Sequence, residues 1–291
     1  MLTAHMAEFL TALRPRGRAA STVEQYRWHL HRLTNWLEQQ NITATDEVTR
    51  TILRTWGAEL TDAWSPATIR QAIAATRALF AWTMEEGYID TNPALALQLP
   101  HVPRRHQRTL TIPEVRALLA ACDQSLTGLR NRAIVAVLLD TGLRSAEICR
   151  LSVSRLDLDQ GQLTVTVKGG AEGLAFYGSL TADHLRAWLD VRPAQPGINA
   201  VFVSIGGNTP GHQLTTAGLR SILRNLGNRS GVAGVSPHAF RRSFATVLTH
   251  AGVPSRAVQL LGRWSNIEMV ERYTAALRIQ QIGNSYSAMN Y

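Results

Sequence analysis

Four short stretches of this 291-residue chain hold side chains whose types and spacing could do chemistry. TGLRSAEI places Arg144 just after a glycine turn, with Glu147 three residues on along the same helical face, so the carboxylate can fix a nearby guanidinium or imidazole. HAFRRSFAT puts His238 and Arg241 at the same interval, at a helix start read as capped by Ser236 with Pro237 following. Such a start aims free N–H groups and the helix dipole at an anion, and a phosphate would suit it. LGRWSNIEMVERYT carries Trp264 and Tyr273, nine residues apart across a turn and a helix. QLTVTVKGG contains Lys168, the one lysine among 30 basic residues; every other is arginine. Taken singly, each stretch also has a plain structural reading: an ordinary ion pair, basic residues at a surface helix start, a hydroxyl-bonded core tyrosine, a chance lysine.

Other chemistries find no support. HExxH, GxSxG and GxxxxGK[ST] are missing, and His184 and His212 have no partners at metal-ligand spacing. Cys122 and Cys149 form no CxxC pair, so neither a structural metal nor a disulfide framework is expected, and no cofactor is implied. No apolar run approaches the ~18 residues that span a bilayer, and MLTAHMAEFL lacks the features of a secretory signal. A cytoplasmic protein is expected. The net charge of +9 favours a polyanionic partner. Residues 1–95 hold nine basic and ten acidic side chains, whereas residues 111–291 hold eighteen and eleven, so the basic excess lies in the second half and the stretch before it. A solvated, arginine-rich surface is the competing account of that charge.

The elements that must position these residues divide at LQLPHVPRRHQRTL, a proline- and arginine-rich stretch with no acid. Expected are a helical domain over 1–96, a basic linker over 97–108 and a second domain over 109–291. In the first, STVEQYRWHLHRLTNWLEQQNI reads as a helix capped by Ser21 or Thr22, with Val23, Tyr26, Leu30, Leu33 and Leu37 on one face. TRTILRTWGAEL is a shorter helix, and SPATIRQAIAATRALFAWTMEEGY a long one opened by Ser65 and Pro66. Trp28, Trp36, Trp56, Trp64 and Trp82 read as core or helix-contact residues. In the second, TIPEVRALLAAC is a helix, and LRNRAIVAVLLDTGLRSAEICRLSV a buried helix, a turn at Thr141-Gly142 and a short helix. QLTVTVK is a strand turning at Gly169-Gly170, AVFVS a second candidate strand, and the chain from TTAGLRSILRNLG onward helical. The fold class is mainly α with a small antiparallel β-sheet.

In their order and separations, TGLRSAEI, the strand ending in Lys168, HAFRRSFAT, LGRW and ERYT resemble the tyrosine recombinase/phage integrase family over nearly the whole chain. The resemblance implies a helical core-binding (SAM-like) N-terminal domain and an α+β catalytic domain. It implies that Arg144 and Arg241 clamp a DNA phosphate, Lys168 is the β-hairpin lysine, and His238 belongs to the HxxR box. Trp264 takes the position held by His or Trp, and Tyr273 is the nucleophile, with Glu147 supporting the arginines. Candidate DNA contacts are Arg104, Arg105, Arg108, Arg242 and Arg263. The implied partners are double-stranded DNA, copies of the chain in a homotetramer on paired sites, and an accessory directionality protein.

Physical chemistry is consistent with those roles. Attack by a tyrosine oxygen on a phosphodiester builds charge on the non-bridging oxygens, which two forked guanidiniums stabilise. The leaving 5′-oxygen needs a proton, which an ammonium gives up more readily than a guanidinium with a pKa above ~12. A catalytically silent DNA-binding regulator and a type IB topoisomerase-like nicking and resealing enzyme are the alternatives. Arg242, Arg263 and the GGAEG turn depart from the usual family pattern, leaving DNA contacts near the hairpin as the least specified part.

Overall fold

Apolar residues at three- and four-residue spacing build the helices of the first unit. The computed structural model describes residues 2–101, 108–167 and 170–274, and contacts divide the chain into compact units over 1–105 and 106–291. Unit one holds α1 (Leu2–Ala12), α2 (Ala20–Gln39), α3 (Arg50–Ala63), α4 (Pro66–Glu85) and a 3-10 turn (Pro93–Ala96). Leu30, Leu33 and Leu37 of α2 are completely buried with Leu53, Leu79 and Phe80, each such side chain contributing about 1.5–3 kcal/mol by leaving water. The expected cap of α2 is corrected: Ala19 is the N-cap, with no side-chain hydrogen bond, because the helix begins before Ser21. Thr49 and Ser65 cap α3 and α4 by accepting from Ile52 and Thr68, and Pro66 occupies the first turn where its missing N–H costs nothing. Trp56 and Trp82 are core as expected, but Trp28 is 49% exposed, stacked on Trp64 with the Arg32 guanidinium 4.5 Å from its ring centroid.

Unit two is organised around α6 (Leu126–Thr141), buried at Ala133, Ile134, Val135, Val137 and Leu138 and therefore apolar nearly all round. Around it lie α5 (Ile112–Ala120), α7 (Ser145–Cys149), α8 (Ser179–Leu189), α9 (Thr216–Ser230), α10 (Pro237–His250), α11 (Ser255–Leu261) and a final helix α12 over residues 268–274. The sheet is antiparallel in the order β1 (Leu156–Asp157), β2 (Gln162–Thr166), β3 (Glu172–Phe176), with Leu163 and Val165 facing the core in the alternation read from QLTVT. Lys168 and Gly169 lie outside the described residues; the hairpin around them is closed by the Val167 N–H donating to the Ala171 carbonyl at 2.8 Å. AVFVS is not a strand. It runs buried between two isolated bridges, Ser152 to Ala200 and Val203 to Gln213, because no neighbour continues the ladder.

Candidate active site

Gly142 ends α6 in a left-handed conformation (φ 57°), and a β-carbon there would meet the Phe244 ring at 2.7 Å. That sharp stop delivers Arg144 to the N-cap of α7. Glu147 reaches back, its Oε2 accepting the Arg144 backbone N–H at 2.9 Å and its Oε1 accepting Nη1 at 2.7 Å. The Glu147 side chain is 4% exposed and that of Arg144 38%, so a buried carboxylate holds a guanidinium whose remaining nitrogens face outward or onto the Arg263 carbonyl at 3.4 Å.

Arg241 comes from the second turn of α10, which Ser236 caps by accepting the Ala239 N–H. It is 4% exposed, and its described hydrogen bonds go to carbonyls rather than to a carboxylate. Nη1 donates to the Gly142 carbonyl and Nη2 to the Gly262 carbonyl at 2.6 Å. Burial first, and then the positive charge of Arg144, bring its pKa down to about 9, with Glu147 pulling the other way. His238 is exposed one turn earlier on the same helix. Its pKa lies below the ordinary 6.5, first through lost hydration and then through the fields of Arg242, Arg241, Arg220 and Arg144.

Trp264 packs against Arg241. The Arg241 guanidinium carbon lies 4.3 Å from its ring centroid, and the Tyr273 ring lies 6.0 Å from it at 58°. Phe244, Ala245, Val258 and Val270 complete a small separate core, against which partly buried Tyr273 of α12 packs. Gly262 makes the packing possible: a β-carbon there would stand 1.8 Å from Trp264 Cζ3. Gln259 holds the turn, donating from Nε2 to the Trp264 carbonyl at 3.0 Å. Gly262, Phe244 and Gln259 were not singled out from the sequence, although the glycine of LGRW was a readable signal for close approach.

The structure thus brings Arg144, Glu147, His238, Arg241, Trp264 and Tyr273 into one neighbourhood, whereas Lys168, Arg104 and Arg105 lie outside the described residues. Arg108, Arg242 and Arg263, each expected to contact DNA, hydrogen-bond within the protein. Arg108 donates to the carbonyls of Ala233 and Thr109 and pairs with Glu114. Arg263 gives its guanidinium to the carbonyls of Leu174, Leu261 and Thr141. Arg242 donates from Nε to the Arg108 carbonyl at 2.7 Å, tying α10 to the start of the unit. Among the described residues no cluster of His, Cys, Asp and Glu could hold a metal ion, and no helix is long and apolar enough to cross a membrane.

Comparison with known families decides what this arrangement belongs to. The model of the phage integrase family matches residues 108–278, and that of the phage integrase N-terminal SAM-like domain matches residues 6–87. The chain belongs to the phage integrase family. Within this family of tyrosine recombinases it is 31% identical to tyrosine recombinase XerC of Xanthomonas campestris pv. campestris (strain B100), over 93% of this chain and 83% of that one. It is 28% identical to tyrosine recombinase XerD of Listeria innocua serovar 6a, over 91% of each. In fold it is similar to the XerH site-specific recombinase bound to palindromic difH substrate in a post-cleavage complex, with a TM-score of 0.74 at 19% identity, covering 92% of this chain and 80% of that one. It is likewise similar to the Tn1549 transposon integrase in complex with transposon right end DNA, at a TM-score of 0.73 and 20% identity, covering 96% and 99%. This integrase is therefore a tyrosine recombinase, of a family that cleaves and rejoins DNA, with the mainly helical, two-unit fold expected of it.

Proposed function

We propose that the chain recombines duplex DNA at specific sites through a covalent 3′-phosphotyrosyl intermediate formed by Tyr273. The observation that carries this reading is the electrostatic imbalance of the site. Burial and the charge of Arg144 disfavour the charged form of Arg241, Arg242 and His238 adjoin them, and Glu147 is the acid bonded within the cluster. Such a cluster is relieved by an anion with several acceptor oxygens, which a phosphodiester supplies and a trigonal-bipyramidal phosphorane supplies better. Tyr273, whose ring packs against the Trp264 that Arg241 also contacts, is the nucleophile within that field.

The steps follow from the groups present. The Tyr273 oxygen attacks phosphorus, forming a P–O bond to the enzyme while the bond to the 5′-oxygen breaks. The phenolic proton passes to His238, whose depressed pKa leaves it neutral and able to accept. Arg144 and Arg241 hold the non-bridging oxygens, and Lys168 protonates the departing 5′-oxygen. Trp264 walls the site and aligns Arg241. Rejoining reverses these transfers with a 5′-hydroxyl of the same or another strand, and the phosphotyrosyl link conserves the bond, so no nucleotide cofactor is required. Exchange between two sites calls for four active sites, a homotetramer on paired DNA, with an accessory protein setting direction. Residues 1–96 act as the core-binding domain, joined by the basic linker over 97–108 to the catalytic domain over 109–291, and Arg104, Arg105, Arg108 and Arg242 contribute DNA contacts from and beside that linker.

The test uses DNA sites recovered from a random pool by their affinity for the protein, then nicked so that a cleaved strand is lost. Parent protein is expected to form a covalent DNA adduct that is stable to denaturation, and Tyr273→Phe to bind but form none. Site-specific binding with no adduct from the parent on any recovered site would leave a DNA-binding protein without strand cleavage.

A further inference from the structure

We propose that Arg263 is a positioning residue that locks the β2–β3 hairpin to the arginine clamp; the inference rests on the reading of Lys168, which the two strands flank, as the proton donor. Arg263 has φ 54°, one of two non-glycine residues with a left-handed backbone among the described residues. A glycine would adopt that conformation without strain. The side chain occupying it joins three elements at once. Nη1 donates to the Leu174 carbonyl of β3 at 3.2 Å and to the Leu261 carbonyl at the end of α11 at 2.7 Å, and Nη2 donates to the Thr141 carbonyl at the end of α6 at 2.8 Å. Its own carbonyl accepts from Arg144 Nη2 at 3.4 Å. Gly173 of β3 lies against the Arg263 stem, where a β-carbon would come within 3.2 Å of Cδ. The guanidinium is largely withdrawn from water, which lowers its pKa, and the nearby Glu147 carboxylate opposes that shift. Arg263 therefore connects the strand beside Lys168, the helix end that aims Arg144, and the turn that carries Trp264. A lysine cannot replace it, because one ammonium cannot reach three divergent carbonyls with the geometry of a planar fork.

The experiment compares Arg263→Gly, which relaxes the backbone and deletes the fork, with Arg263→Lys, which keeps the charge. Single-turnover cleavage is measured on two nicked sites, one ordinary and one in which sulfur replaces the bridging 5′-oxygen, so that a thiolate leaves without needing a proton. Lys168→Ala serves as the reference. Both Arg263 variants are expected to bind DNA, to cleave the ordinary site roughly 10²-fold more slowly, as loss of a general acid does, and to recover most of that loss on the sulfur site, as Lys168→Ala does. Hydrogen exchange at the β3 amides is expected to quicken in both. Parental cleavage of the ordinary site, or equal loss on both sites with β3 exchange unchanged, would overturn the proposal. Weakened binding with an unchanged cleavage rate in the bound complex would do so too, making Arg263 a DNA contact. If sulfur fails to rescue Lys168→Ala, the proton-donor reading falls, and β3 exchange decides the role of Arg263: slow exchange in both variants refutes it.

Discussion

The guanidinium of buried Arg241 lies 4.3 Å from the centroid of the Trp264 ring, and both depend on the backbone of Gly262, which accepts a hydrogen bond from Arg241 and leaves room for the indole. An alanine at 262 would put its β-carbon inside the van der Waals radius of Cζ3, although its φ of −83° is open to any residue. Overpacking of this kind costs about 1–3 kcal/mol. Gly262→Ala is therefore expected to lower stability by that order, shift tryptophan fluorescence to the red and suppress cleavage; unchanged emission and activity would contradict the packing described.

Glu147 is the buried anchor of Arg144, bonded twice to that one residue. Glu147→Gln keeps the shape but puts an NH2 group where one carboxylate oxygen accepted an N–H, so one of the two bonds is lost, and a hydrogen bond to a charged group is worth about 1.5–3 kcal/mol. With half of that expressed in the transition state, cleavage falls by roughly 4- to 13-fold. Chemical denaturation and single-turnover cleavage check the two parts separately, and a stable variant with full cleavage would remove Glu147 from the clamp.

Lost hydration of the ring and then four neighbouring guanidiniums disfavour the His238 imidazolium, so its pKa in the free protein lies below 6.5. The neutral ring is the form the fold favours. Its contribution to stability is present above the unfolded value and is lost as pH falls through the depressed folded value. NMR titration of the imidazole in DNA-free protein is expected to give a midpoint below 6.5, and a bound phosphodiester to raise it by screening the arginines. A midpoint at or above 6.5 without DNA would mean that the guanidiniums do not crowd this ring.

Lys168→Arg retains positive charge but loses the readily donated proton. Slower cleavage of duplex DNA, by roughly 10²-fold, with nearly parental binding is expected; a variant that cleaves normally would end the general-acid assignment.

Much of this organisation was legible because local chemistry and tertiary role coincide. Ser65-Pro66 and Ser236-Pro237 start helices for reasons contained in those residues, and the Arg144 and Glu147 spacing alone specifies a pair on one helical face. What escaped was set by distant partners. The run Leu2, Met6, Phe9 and Leu10 forms the buried face of α1, yet those residues, viewed only for targeting features, did not announce a helix. AVFVS has strand composition, but its neighbours pair with it through single bridges, Ser152 to Ala200 and Val203 to Gln213, and neither extends into a ladder. Trp28 belongs to a helix whose apolar stripe lies elsewhere, so its ring is left to Trp64 and Arg32. Arg263 reads in the sequence only as a candidate DNA contact and a departure from the family pattern, because its three carbonyl partners lie in separate elements.

The most direct measurement is the chemical identity of the link between protein and DNA. Adduct trapped on a nicked site, digested with nuclease and protease and examined by fragmentation mass spectrometry, should yield a peptide from ERYTAALR carrying nucleotide through a 3′-phosphate on the Tyr273 oxygen. Linkage through any other residue, or through a 5′-phosphate, would contradict the assignment of the nucleophile and the direction of attack.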